Sequence, residues 1–124
     1  MKKKKILLIE DEPYQVMMIK FRLEANNFDF ISACNGEEGL KKTYEEKPDL
    51  ILLDLFMPKI DGYEVCRRLR RNKETKKILI VFFTASAGPD IKEKFHDYGA
   101  DDYISKPFES EELVAKINAL LARK

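Results

Sequence analysis

Five short apolar runs divide the chain, and each is followed by a longer stretch with helical spacing. The runs are Ile6-Leu7-Leu8-Ile9, residues 28–33, Leu50-Ile51-Leu52-Leu53, residues 78–83, and Tyr103-Ile104. The first, third and fourth are apolar without interruption, the pattern of strands covered on both faces by helices in a parallel sheet. Between the runs, Val16, Ile19 and Leu23 repeat at helical spacing, as do Val65 and Leu69, and Leu113, Ile117 and Leu120. Asn35 followed by Glu38 resembles a capping box opening the second helix. Gly88-Pro89 suits the start of the fourth helix, and Gly99 its stop. Ser110, Glu111 and Glu112 place a cap and negative charge at the start of the fifth. Five βα units in 124 residues leave no room for a linker, so one domain over 1–124 is expected. Right-handed crossovers make such units an α/β doubly wound sheet, whose ligand crevice lies beyond the C-terminal ends of its strands.

Composition removes several classes of function. The 23 Lys+Arg and 22 Asp+Glu leave a net charge of +1, which gives no electrostatic reason to expect nucleic acid or an anionic membrane as partner. Cys34 and Cys66 are too few for a disulfide framework, and the lone His96 cannot complete a zinc site with them. No apolar run approaches the ~20 residues that span a bilayer. The apolar stretch after the basic start is only four residues long before Glu10, too short for a signal peptide, and Lys2 to Lys5 read as a solvated lead-in to a strand. The expected setting is the cytoplasm.

The strand ends carry the chemistry. Glu10, Asp11 and Glu12 follow the first run, Asp54 the third, Thr84 and then Ser86 the fourth, and Lys106-Pro107 the fifth. Carboxylates gathered on one edge repel one another and raise one another's pKa unless a cation joins them. Oxygen ligands without thiol or imidazole favour a hard ion such as Mg²⁺. Lys106 suits a phosphoryl oxygen, the Thr84 hydroxyl another, and a carboxylate left facing phosphorus can form an aspartyl-phosphate. Phosphoryl transfer needs mainly positioning and charge neutralisation, which this set supplies.

Each piece has a plainer reading by itself. Glu10-Asp11-Glu12-Pro13 could be a loop and helix cap, Thr84 a strand-end hydroxyl, and Lys106 a surface side chain. Asp54 resists such a reading, because a charge rarely follows a buried strand without a partner. His96 reads as a surface or packing residue rather than a phosphocarrier, Phe82-Phe83 as core, and both cysteines as ordinary small side chains. Arg67-Arg68-Leu69-Arg70-Arg71 reads as a solvated helix face that complements the dipole.

In order and spacing, four segments resemble the receiver domain of two-component response regulators. They are Ile6-Leu-Leu-Ile-Glu-Asp-Glu-Pro13, Asp54-Leu-Phe-Met-Pro58 with Asp61-Gly62, Phe83-Thr-Ala85, and Gly99-Ala-Asp-Asp-Tyr-Ile-Ser-Lys-Pro-Phe108. The resemblance implies a flavodoxin-like sheet of order 2-1-3-4-5 flanked by five helices. It implies that Asp54 accepts a phosphoryl group from a histidine kinase or histidine phosphotransfer protein. Glu10, Asp11, Asp54 and the backbone carbonyl of Phe56 match the Mg²⁺ site, which Mn²⁺ can also fill. Lys106 matches the phosphate-pairing lysine, with a cis bond to Pro107. Thr84 and Tyr103 match a switch pair that reshapes the α4-β5-α5 surface toward a partner or output domain. A monomer that can pair when phosphorylated is implied, and catalysis only of its own phosphorylation and dephosphorylation.

Two departures from that pattern stand out. Glu10 replaces the commoner aspartate, and its longer arm suits a metal held through water. Phe56 is bulky where a polar residue is frequent, which predicts slow autodephosphorylation. Three other readings compete. An aspartyl-phosphate phosphatase would want a second aspartate where Phe56 stands. An FMN carrier would want a Ser/Thr/Gly-rich loop where Glu10-Asp11-Glu12 stands. A receiver-shaped interaction module without phosphorylation would have no use for the reactive set.

Overall fold

The apolar runs lie side by side in one parallel sheet, with the three uninterrupted ones at its centre, because a strand without polar side chains has no face that tolerates water. The computed structural model describes residues 2–57, 59–84 and 89–123. Its elements alternate as β1 (Lys5–Ile9), α1 (Pro13–Ala25), β2 (Asp29–Ala33), α2 (Gly36–Glu46), β3 (Leu50–Asp54), α3 (Gly62–Arg71), β4 (Leu79–Thr84), α4 (Pro89–Lys94), β5 (Asp102–Ser105) and α5 (Ser110–Arg123). The strand order is β2-β1-β3-β4-β5, with every neighbouring pair parallel. This is the doubly wound order expected, with its switch point between β1 and β3.

Alternate residues of each strand face opposite layers. Leu7, Ile9, Ile51, Leu53, Ile80 and Phe82 pack with Val65, Cys66 and Leu69 of α3. Ile6, Leu8, Leu50, Leu52, Val81 and Phe83 pack with Ile19 and Leu23 of α1 and Leu113, Ile117 and Leu120 of α5. Each such side chain gains roughly 1.5–3 kcal/mol on leaving water. The helical stripes expected at 16–23, 65–69 and 113–120 are therefore the inner faces of α1, α3 and α5.

Local signals set the helix starts. Glu12 caps α1, accepting from Tyr14 N–H at 3.2 Å and Gln15 N–H at 2.8 Å. Asn35 accepts from Glu38 N–H at 2.9 Å, but the Glu38 carboxylate reaches the Cys34 N–H at 2.6 Å, one residue before the cap a reciprocal box would use. Gly99 has φ +99°, the left-handed conformation that closes the turns after α4. Gly88 lies outside the described residues.

The basic run departs from the expected solvated face at one position. Arg67 and Arg68 pair outward with Glu64. Arg70 turns inward: it donates to the carbonyls of Gly99 at 2.7 Å, Lys76 at 2.8 Å and Ile78 at 2.6 Å, and pairs with Asp101 at 2.9 Å. Asp101 in turn accepts from Ile80 N–H at 2.9 Å. Among the described residues no helix is long and apolar enough to cross a membrane.

Candidate functional site

Glu10 and Asp54 meet because their strands are neighbours in register. Ile9 pairs with Leu53, so the next residue of each chain leaves the sheet at the same edge. Glu10 is buried; its Oε1 accepts from Lys106 Nζ at 2.7 Å and its Oε2 from Glu12 N–H at 3.1 Å. Asp54 is also buried, with Oδ1 accepting from Phe56 N–H at 3.2 Å and Oδ2 lying 4.0 Å from Lys106 Nζ. Asp11 is exposed at the rim. One carboxylate oxygen from each of Glu10, Asp11 and Asp54 lies within 4.8 Å of the others.

Lys106 arrives from the far side of the sheet. Thr84 pairs with Ser105 in register, and Lys106 N–H donates to the Thr84 carbonyl at 2.7 Å. Its ammonium sits 4.4 Å from the centroid of the Phe83 ring, so an aromatic face and the Glu10 carboxylate hold it together. The Lys106-Pro107 peptide is cis. Thr84, fully buried, ends β4 beside this group.

The electrostatics follow from that packing. Burial, then the charge of Glu10, push the Asp54 carboxyl up to about 6 from 3.8, although Lys106 and the Phe56 N–H pull the other way. Three carboxylates facing one ammonium leave the edge short of positive charge. Oxygen donors this close, with neither sulfur nor imidazole among them, fit a hard divalent cation. A groove of about 590 Å³ opens beside Glu10 and Asp11, bordered by Pro13, Met17, Lys20 and Lys42.

The remaining candidates divide. Tyr103 lies on β5 opposite Phe82, partly buried, with its ring 5.3 Å from that of Phe95 and 5.0 Å from Lys116 Nζ. The Phe56 side chain is exposed, with only its backbone N–H turned to Asp54. His96 stacks on Phe95 at 4.1 Å and borders a hollow with Leu79, Asp101, Leu120 and Arg123, not the acidic edge. Cys66 is buried, which pushes its thiol up to about 11 and keeps it un-ionised. Ser86 and Pro58 lie outside the described residues.

Sequence reasoning missed two supports. Phe83 is core, as expected, but also the seat of Lys106. Gly62 packs against the exit of β3: its N–H donates to the Leu55 carbonyl at 3.0 Å, and a Cβ there would strike the Asp54 carbonyl oxygen and come within 2.7 Å of Leu55 Cα. The glycine after Asp61 was visible in the sequence, but its contact with the carboxylate strand was not.

Known proteins carry the same pattern. Residues 6–118 match the family model described as response regulator receiver domain. The chain is 45% identical over 120 residues to the alkaline phosphatase synthesis transcriptional regulatory protein PhoP of Bacillus subtilis, covering 97% of this chain and 49% of that protein. It thus spans about half the length of the curated relatives it matches. A response regulator structure from Chloroflexus aurantiacus superposes with a TM-score of 0.92 at 34% identity, over 98% of this chain and 99% of that one. The receiver domain of a sensor histidine kinase from Pseudomonas aeruginosa, described with a magnesium ion coordinated in its active-site cleft, superposes with a TM-score of 0.89 at 26% identity, over 98% and 99%. The fold, the matched residues and these relatives agree: the chain belongs to the response regulator receiver domain family of two-component signalling.

Proposed function

We propose that this chain is a phosphorylation-operated receiver: Asp54 takes a phosphoryl group from a phosphohistidine on a histidine kinase or phosphotransfer protein. The observation that carries the reading is the meeting of Glu10, Asp11 and Asp54 within 4.8 Å, with the Lys106 ammonium 2.7 Å from one carboxylate and 4.0 Å from the acceptor. Glu10, Asp11, Asp54 and the backbone carbonyl of Phe56 would hold Mg²⁺ or Mn²⁺. When bound, that cation supplies charge neutralisation for the transferring phosphoryl oxygens.

The chain's own residues do the rest. Ionised Asp54 attacks phosphorus through a carboxylate oxygen; the P–N bond to the donor imidazole breaks and its electron pair stays on nitrogen. Lys106, already beside the acceptor, pairs with a phosphoryl oxygen as it leaves Glu10, and the Thr84 hydroxyl donates to another. The gain of roughly −1.5 to −2 charges then draws the Thr84 hydroxyl onto the phosphoryl group and lets the Tyr103 ring turn inward into the space vacated, reshaping the surface of α4, β5 and α5. That surface would meet a downstream protein or output domain, in a cytoplasmic setting, as a monomer that can pair once phosphorylated. In receivers the position that Phe56 holds borders the path of attacking water, and its bulk there favours a long-lived phosphoryl group.

Incubation with Mg²⁺ and acetyl phosphate, followed by intact mass, tests the reading. A labile gain of one phosphoryl is expected, absent in Asp54→Ala. A time course in the same assay is expected to show a lifetime shortened by several-fold in Phe56→Asn. No mass gain in the wild type would return the chain to a phosphorylation-independent interaction module, and turnover of an outside phosphate ester would make it a phosphatase.

A further inference from the structure

The Lys106 ammonium stands on an aromatic floor. Its Nζ lies 4.4 Å from the centroid of the Phe83 ring, 2.7 Å from Glu10 Oε1 and 4.0 Å from Asp54 Oδ2. The ring is fully buried, and the lysine side chain is only 16% exposed. Phe83 comes to this place by register, being paired with Asp54 on β3 and with Ile104 on β5. Phe108 braces the ring edge-to-face, with centroids 5.2 Å apart. Because Phe108 follows Lys106 by two residues, the segment that delivers the ammonium also delivers the brace.

Filling the core at this position asks only for an apolar side chain. An aliphatic one would strip water from the ammonium and return nothing, whereas the negative face of an aromatic ring attracts it. The other two groups are carboxylates, and both are assigned above to a divalent cation. A carboxylate that shares its charge with such a cation attracts the ammonium less, and the ammonium is also repelled by the like charge. Of the three groups, the ring alone keeps its hold on Lys106 under those conditions.

We propose that Phe83 is a positioning residue for phosphoryl transfer: its ring face keeps the Lys106 ammonium beside Asp54 while Glu10 and Asp54 are engaged by the cation. The inference rests on the function proposed above and adds to it a residue that acts entirely through Lys106. Phe82 is the internal control. It is equally buried but turned to the opposite layer, where its ring meets that of Tyr63 at 5.8 Å.

The test replaces Phe83, in the full chain, by phenylalanines carrying one, two and three ring fluorines, incorporated at that site alone. Fluorination drains the face of negative charge with little change in size. The initial rate of phosphorylation by acetyl phosphate with Mg²⁺ is expected to fall stepwise, to about three- to tenfold below wild type at three fluorines. The same series at Phe82 is expected to leave the rate unchanged, which separates the charge of the ring from its packing. Proton NMR without metal or phosphodonor gives a second readout. The Lys106 ε-methylene protons are expected upfield of the ordinary lysine position, shifted by the ring current of Phe83. In Phe83→Leu, which keeps an apolar core residue but no ring, they are expected to return to that position with an unchanged circular dichroism spectrum. Lys106 protons at the ordinary position in the wild type overturn the proposal, as does a rate equally sensitive to fluorination at Phe82. No phosphoryl uptake by the wild type overturns the function proposed above and this inference with it. Uptake at a rate indifferent to fluorination of Phe83 overturns this inference alone.

Discussion

Asp54 occupies a place that disfavours its own charge, being buried, beside Glu10, and helped only in part by an ammonium 4.0 Å away. Its carboxyl is raised from 3.8 to about 6, so the folded protein holds that proton more tightly than the unfolded chain between those values. Stability from this site is therefore greatest below about pH 4 and falls as pH rises through about 6. At neutral pH the ionised group costs on the order of 1–3 kcal/mol in the absence of a cation. Asp54→Asn is expected to be that much more stable than wild type at pH 7.5 in EDTA, with the gain gone at pH 3.5. Denaturant unfolding at the two pH values measures it, and equal stability at pH 7.5 would contradict the assigned electrostatics. A bound cation would offset that cost.

Among the elements, α3 determines how firmly β3, the strand that carries Asp54, is held. Its first residue, Gly62, lies against the backbone of Asp54 and Leu55, and Arg70 in its last turn is bonded to the segments leading into β4 and β5. The helix is thus pinned at both ends, once to the site and once to the far edge of the sheet. A methyl at Gly62 meets backbone that cannot yield, so Gly62→Ala is expected to cost about 2–3 kcal/mol and to slow phosphorylation by displacing Asp54. At Gly39 an added methyl meets side-chain atoms of the buried Ile9 instead of backbone, Cδ1 the nearest and Cγ1 at 2.8 Å, and a side chain can repack where a strand backbone cannot. Gly39→Ala is therefore expected to cost less, and the reverse order in urea unfolding would refute the backbone clash. The motif made Asp61-Gly62 conspicuous, whereas Arg70 looked like one more surface arginine. Only the fold brings Asp101, 31 residues on, beside it.

For the molecule as a whole, the question is how a change at Asp54 reaches α4, β5 and α5. Tyr103 is the relay we propose: it lies between Phe95 and Lys116, whose Nζ also holds its carbonyl at 2.9 Å. Tyr103→Ala is expected to accept a phosphoryl group at the wild-type rate yet lose most of the phosphorylation-dependent change in hydrogen exchange across β5 and α5. An undiminished change would remove Tyr103 from the switch. The alternation of apolar runs, by itself, determined the doubly wound sheet, because a strand such as Leu50-Ile51-Leu52-Leu53 has no face that tolerates water. It also determined the edge where Glu10, Asp54, Thr84 and Lys106 emerge, since parallel strands end together. Tertiary structure alone decided the rest, because these were matters of distance between residues remote in sequence. Lys106 rests on Phe83 and pairs with Glu10 more closely than with Asp54, Glu38 reaches past its expected cap to Cys34, and Arg70 turns inward. Helix α1 falls between the two: periodicity marked Val16, Ile19 and Leu23 as its inner stripe, and the packed fold decided that Tyr14, Met17, Met18 and Phe21 are left to solvent.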